Sequence, residues 1–211
     1  MNQATLLERV FMLIPLVLSL SVHEWAHAAA AVSFGDDTPI RQGRYTLNPI
    51  AHIDPIGTLL LPLLGIPFGW AKPVQWNPSR IRRDVPMQRA LWVVSIAGPA
   101  SNIVLAFLAA IGLAFVPGDA EVAGVILWQF FGINVSLAVF NMLPIPPLDG
   151  SRIVDANIPR SLAGAWESVH RFAPFLLFGV FLLPPIREGL GSMIQFVART
   201  ILAIVGRISG G

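Results

Sequence analysis

The chain has 211 residues, 55% hydrophobic and only 12% charged, with a mean hydropathy of +0.68. Soluble domains carry roughly 25% charged residues, so this composition excludes an ordinary soluble globule and points to helices packed in lipid. The formal net charge is +2 despite a pI near 9.9, which leaves no nucleic-acid footprint, and the lack of cysteine excludes disulfides and thiolate ligands.

In chain order, the first apolar run extends from Val10 to Phe34, broken only by Pro15 and a His23–His27 cluster. It exceeds the roughly 20 residues that cross a hydrocarbon core. It is too long for a signal sequence and is read as a retained span. Thr38 to Asp54 is polar and mixed, with a β-like stretch around Arg41–Leu47. Pro55 to Trp70 is apolar but short, and it is broken by Gly57, Pro62, Gly65, Pro67 and Gly69, so a re-entrant or interfacial hairpin is expected. A basic loop, Ala71 to Arg89, follows.

Ala90–Val116 and Val122–Leu143 read as two further spans, the latter stopped by Pro144, Pro146 and Pro147. Leu148–Arg171 is polar and amphipathic, and Phe172–Pro185 and Leu190–Val205 are expected to form a C-terminal hairpin of about residues 172–206. The expected fold is an all-α polytopic membrane protein of five to six transmembrane or re-entrant segments, with a small β element after the first span. A single domain over 1–211 is expected, with its core at about 10–155 and no appended soluble domain.

If Pro55–Trp70 returns to its starting side, one face carries Arg41, Arg44, Lys72, Arg80, Arg82, Arg83, Arg89, Arg152, Arg160, Arg171 and Arg207. The other keeps only Arg9 and Arg187, with Asp119 and Glu121. The excess of positive charge makes the first face cytoplasmic.

The chemistry sits in the first span. His23-Glu24-Trp25-Ala26-His27 fits H-E-x-x-H, and residues four apart share one face of a helix. Two imidazoles so placed can bind one zinc, and Glu24 beside them can take a proton from water that the metal has made more acidic. Ionisable groups inside a span cost about 2.5–3.5 kcal/mol each on insertion scales, so three together without a function would be a heavy burden.

Catalytic zinc takes three protein ligands. The remaining histidines are His52, in the loop after the first span, and His170, in the amphipathic stretch. Asp149 is the better candidate. It follows the third span in Asn141-Met142-Leu143-Pro144-Ile145-Pro146-Pro147-Leu148-Asp149-Gly150. Taken alone, Asp-Gly is more often an ordinary turn. Its depth favours a ligand: His27 lies roughly 10 Å from the end of its span at 1.5 Å per residue, and Asp149 falls near the same membrane face.

Together these residues resemble the site-2 protease family of intramembrane metalloproteases. The family signature pairs HExxH with a later Asn-x-x-Pro-x-x-x-x-Asp-Gly, present here as Asn141, Pro144, Asp149 and Gly150. Gly98-Pro99-Ala100-Ser101-Asn102 also looks like the family, and the strings Leu47–Gly57 and Gly69–Val74 look like its small prokaryotic branch, without a PDZ domain or the span that often precedes HExxH.

The resemblance implies that His23, His27 and Asp149 ligate one zinc per chain and that Glu24 is the general base and then the proton donor. It implies that Asn141 holds the substrate carbonyl or the oxyanion, although a helix-interface amide would look the same. Gly98, Pro99 and Asn102 are expected to serve close helix packing, and Thr38–Leu47 to pair with an unwound substrate. His52 and Asp54 are open between a supporting or gating role and a structural one, and substrate-binding residues are unknown. The expected substrate is a transmembrane protein segment in a prokaryotic cell membrane. The other expected partners are the bilayer and either an adaptor protein or a further copy of the chain. A non-proteolytic zinc transporter or sensor, or an inactive scaffold, is the rival reading.

Overall fold

A computed structural model describes residues 3–65, 69–117 and 119–209, and the regular elements of the described part are all helices. The main helices are α1 (Gln3–Ser33), α2 (Met87–Phe115), α3 (Glu121–Asn141), α4 (Asp149–Asp155), α5 (Ala163–Leu182) and α6 (Pro184–Ser209). Among the described residues, four stretches are long and apolar enough to cross a membrane: Arg9–Ser33, α2, α3 and α6. Of the five to six transmembrane or re-entrant segments expected, four thus have the length and composition to cross.

The core lies where α2, α3 and α6 meet. Ala106, Ala109 and Ala110 of α2 pack with Phe131, Val135 and Val139 of α3 and with Ile201 and Val205 of α6. Small residues suit this role, because in lipid the association of helices depends on close backbone approach. The third side of the bundle is α1, which lies along both α2 and α3.

The direction of α6 follows from its neighbours. Its residues 192–197 share an apolar groove of about 890 Å³ with residues 96–104 of α2 and 138–142 of α3, whereas Ile201 and Val205 reach Ala106–Ala110. The helix thus runs parallel to α2 and starts on the side where α3 ends. Helix α5 stays on that side too. Trp166 Nε1 donates to Asp155, His170 bonds the same carboxylate, and the Phe181 ring lies 5.6 Å from that of Phe140 near the end of α3. The apolar half of α5, Phe172–Leu182, is roughly 16 Å long at 1.5 Å per residue, about half a hydrocarbon thickness. Arg187 therefore joins the basic face and Arg207 leaves it, which reverses the expected placement of these two residues.

The β element is not found: among the described residues there is no strand. Thr38–Arg41 forms one helical turn with Pro39 near its start, and Asp36 accepts from both Thr38 N and Thr38 Oγ. Gly43 then turns the chain with φ +65, and Arg44 and Tyr45 N–H close onto the Pro39 carbonyl. With those donors spent locally, Arg41–Leu47 has no ladder to join.

Segment 55–70 begins as a wide helical turn over Pro55–Leu60 and continues over Leu61–Leu63 to Gly65, with Pro67 outside the described residues. Its ends lie side by side, since Trp70 N donates to Gly57 O and Thr58 Oγ donates to Trp70 O. Its far end touches α1 near that helix's start, where Arg9 donates to Leu63 O.

Candidate metal centre

On α1, His23, Glu24 and His27 face the bundle and are buried, and Asp149, the first residue of α4, is buried beside them. His23 Nε2 and His27 Nε2 lie 3.1 Å apart, and Asp149 Oδ2 is 3.3 Å from the first and 3.2 Å from the second. This is the one His/Asp/Glu cluster of metal-binding shape among the described residues.

The protons show what the cluster lacks. His27 Nδ1 lies 2.6 Å from the Val94 carbonyl, which can only accept, so Nδ1 carries the proton and Nε2 of the neutral ring is a bare lone pair. His23 Nδ1 faces Asn102 Oδ1 at 2.7 Å, and its Nε2 is likewise left bare. Two imidazole lone pairs and a carboxylate thus converge with no donor among them. A cation resolves the repulsion. Ligands 2.0–2.1 Å from a tetrahedral zinc lie roughly 3.3 Å from one another, close to the edges of this triangle.

The backbone leaves room for an ion. A Cβ on Gly98 would stand 2.6 Å from His23 Cε1 and closer still to His27 Nε2, so only glycine fits beside the ring tips. Gly150 has a parallel role. A Cβ there would lie 2.5 Å from the Leu143 carbonyl oxygen and nearer to that of Met142. The Asp-Gly pair can therefore fold tightly under the end of α3 and carry Asp149 back into the bundle.

Glu24 does not join the cluster. Its Oε2 accepts the Val74 N–H at 2.7 Å from an extended limb, residues 71–77, that crosses over it. That limb is fixed by Lys72 N donating to His52 O and by Asn77 N donating to Asp36 Oδ2. His52 is thus a loop anchor, with Nε2 bonded to the Thr46 carbonyl, and Asp54 caps the turn at Ile56 and Gly57. His170 lies apart, paired with Asp155. Asn141 Nδ2 donates to Leu137 O one turn back in its own helix, and the residue is partly exposed.

Sequence reasoning passed over three residues or gave them only a packing role: Gly98, Asn102 and Asn134. Asn102 and Asn134 are fully buried amides in successive spans, bonded to each other at 2.8 Å. An amide in a span is itself a signal, because lipid offers it no partner.

Spanning helices around a buried His–His–carboxylate cluster, with a glutamate alongside, define a membrane-embedded metallopeptidase. The comparisons agree. The profile described as Peptidase family M50 matches residues 119–183. A Bacillus subtilis protein named "Putative zinc metalloprotease YwhC" is 40% identical over 185 residues, covering 83% of this chain and 81% of the relative. A Mycobacterium tuberculosis protein named "Putative zinc metalloprotease Rip2" is 33% identical over 178 residues, covering 80% of this chain and 65% of the relative. A Methanocaldococcus jannaschii protein named "Putative zinc metalloprotease MJ0611" is 44% identical over 68 residues, 30% of this chain and 33% of that one. No solved structure matches. The chain belongs to Peptidase family M50, the site-2 protease family.

Proposed function

We propose that the chain is a zinc-dependent intramembrane endopeptidase that cleaves transmembrane segments of membrane-anchored proteins. The carrying observation is the proton-free convergence of His23 Nε2, His27 Nε2 and Asp149 Oδ2. These three residues would hold one zinc per chain. Bound there, zinc supplies Lewis acidity that polarises the scissile carbonyl and makes water a better acid.

The chain's own residues supply the rest. Glu24 takes the proton from the attacking water at a carboxylate oxygen and returns it to the leaving amine nitrogen. The Val74 N–H orients that carboxylate and the 71–77 limb covers it. Asn141 turns its amide from the Leu137 carbonyl towards the substrate oxygen. A helical substrate keeps its peptide groups bonded, so it enters between helices and unwinds before hydrolysis.

A single membrane-embedded domain in a prokaryotic cell membrane performs this work, with the site near the cytoplasmic face. The support for that face is its excess of Arg and Lys, including Arg80, Arg82, Arg83 and Arg89. Partners are the bilayer, the transmembrane substrate, and an adaptor or a second copy of the chain.

The test is cleavage of a transmembrane substrate by the purified chain in proteoliposomes, compared with Glu24→Gln. General-base loss typically costs 10²–10⁴-fold, so the variant is expected to retain zinc and lose cleavage by about that factor. Cleavage at the wild-type rate would refute the role of Glu24. Zinc flux without cleavage in the wild type would make the chain a transporter.

A further inference from the structure

We propose that Asn134, acting through Asn102, is a positioning residue that fixes the ring orientation and tautomer of His23. This rests on the reading of His23 as a metal ligand. Four hydrogen bonds link three helices into a line with one consistent direction. Ser19 Oγ donates its only proton to the Pro15 carbonyl at 2.7 Å, so it can only accept from elsewhere. Asn134 Nδ2 lies 2.8 Å from Ser19 Oγ and 2.8 Å from the Phe130 carbonyl. Both partners are acceptors, so the NH2 end of Asn134 must face them and its Oδ1 must face Asn102.

That oxygen then takes Asn102 Nδ2 at 2.8 Å, which turns Asn102 Oδ1 onto His23 Nδ1 at 2.7 Å. An amide oxygen cannot donate. Nδ1 therefore carries the proton, and Nε2 presents its lone pair to the cluster. Ser19, Asn102 and Asn134 are all 0% exposed, so bulk solvent does not reach the line of bonds.

The two histidines are held by different devices. For His27 a main-chain carbonyl, that of Val94, sets the tautomer, and no side-chain change can reverse it. For His23 the setting depends on an amide that has two ends. Without Asn134, nothing fixes which end of Asn102 faces the ring. A flipped Asn102 would donate to Nδ1, push the proton to Nε2 and block the ligand position.

The experiment measures zinc affinity of the full chain in detergent by chelator competition. Asn134→Leu is expected to weaken zinc about 10- to 100-fold, the usual effect of losing a ligand's hydrogen-bond partner. Adding Asn102→Asp to that variant is expected to restore most of the affinity, because a carboxylate has no donor end and accepts from Nδ1–H in either orientation. A packing role predicts the reverse, since a second buried charge would only add damage.

Wild-type affinity in Asn134→Leu, or failure of Asn102→Asp to rescue, overturns the proposal. If Asn134→Leu does not fold, ¹⁵N NMR of His23 in the metal-free wild-type chain decides. Protonated Nδ1 supports the relay and protonated Nε2 overturns it. A wild-type chain that takes up no zinc, or takes it up equally well as His23→Ala, removes the metal reading itself. That outcome is distinct from loss of the relay alone, where zinc uptake depends on His23 but not on Asn134.

Discussion

At the scale of single residues, the site is decided as much by absent atoms as by present ones. Gly98 gives the two ring tips their space, and a methyl group there would occupy the room left between them. Gly98→Ala is therefore expected to abolish zinc binding while α2 stays helical, alanine being the better helix former by about 1 kcal/mol. Zinc analysis beside circular dichroism checks it, and full zinc content in the variant would contradict the cradle. The candidate cluster was legible in the sequence because HExxH and the Asp-Gly element each have a fixed spacing. Gly98 was legible only as a small residue, since its opposing atoms belong to a helix about 70 positions earlier. The same distance hid Asn102 and Asn134. Their link to His23 runs through space between three helices, and nothing periodic marks it.

At the scale of elements, the region between α1 and α2 departs furthest from expectation. The β-like composition of Arg41–Leu47 suggested a strand, but a strand needs a partner, and local turns have taken its donors. What the region provides is the limb over Glu24, and its anchor is Asp36. That carboxylate is fully buried and serves Thr38 N, Thr38 Oγ and Asn77 N together. Hydrogen bonds to a charged group are worth about 1.5–3 kcal/mol each. Asp36→Ala is therefore expected to free the limb first and to leave α1–α3 packed. Amide exchange at Val74 and Asn77 should accelerate at least tenfold while core amides of α2 stay protected. Uniform acceleration across the chain would mean instead that Asp36 supports the whole fold.

At the scale of the molecule, the proposed metal site ties the beginning of the chain to its middle. His23 and His27 lie on α1, and Asp149 lies on a seven-residue helix with few other ties to α1. A ligand that binds only the folded state adds about 2.7 kcal/mol at one hundred times its Kd. Zinc removal by chelation is thus expected to lower the melting temperature and to loosen α4 before the α2–α3–α6 core. The pH dependence has a definite sign. Bound imidazoles must be deprotonated, so the zinc-dependent increment is present at neutral pH and shrinks as pH falls through the histidine range. Melting curves with and without chelator at several pH values check this. An increment that grows on acidification would argue against histidine ligation.

The path of the chain through the bilayer is the other property of the whole. The sequence suggested that the C-terminal apolar segments both cross, which would carry Arg207 to the side of the site. The packing of α6 alongside α2 carries it away. Hydropathy could not separate these cases, because the apolar half of α5 satisfies a composition test over too short a length. The difference is a single crossing, and a chain with no native cysteine reports it cleanly. Single cysteines at Ser161, before α5, and at Ser209, at the end of α6, are expected to react with an impermeant maleimide from opposite sides of sealed vesicles. Asp119→Cys, between α2 and α3, should match Ser209→Cys. If Ser209→Cys instead matches Ser161→Cys, α5 crosses after all, and Arg207 returns to the basic face that carries the site.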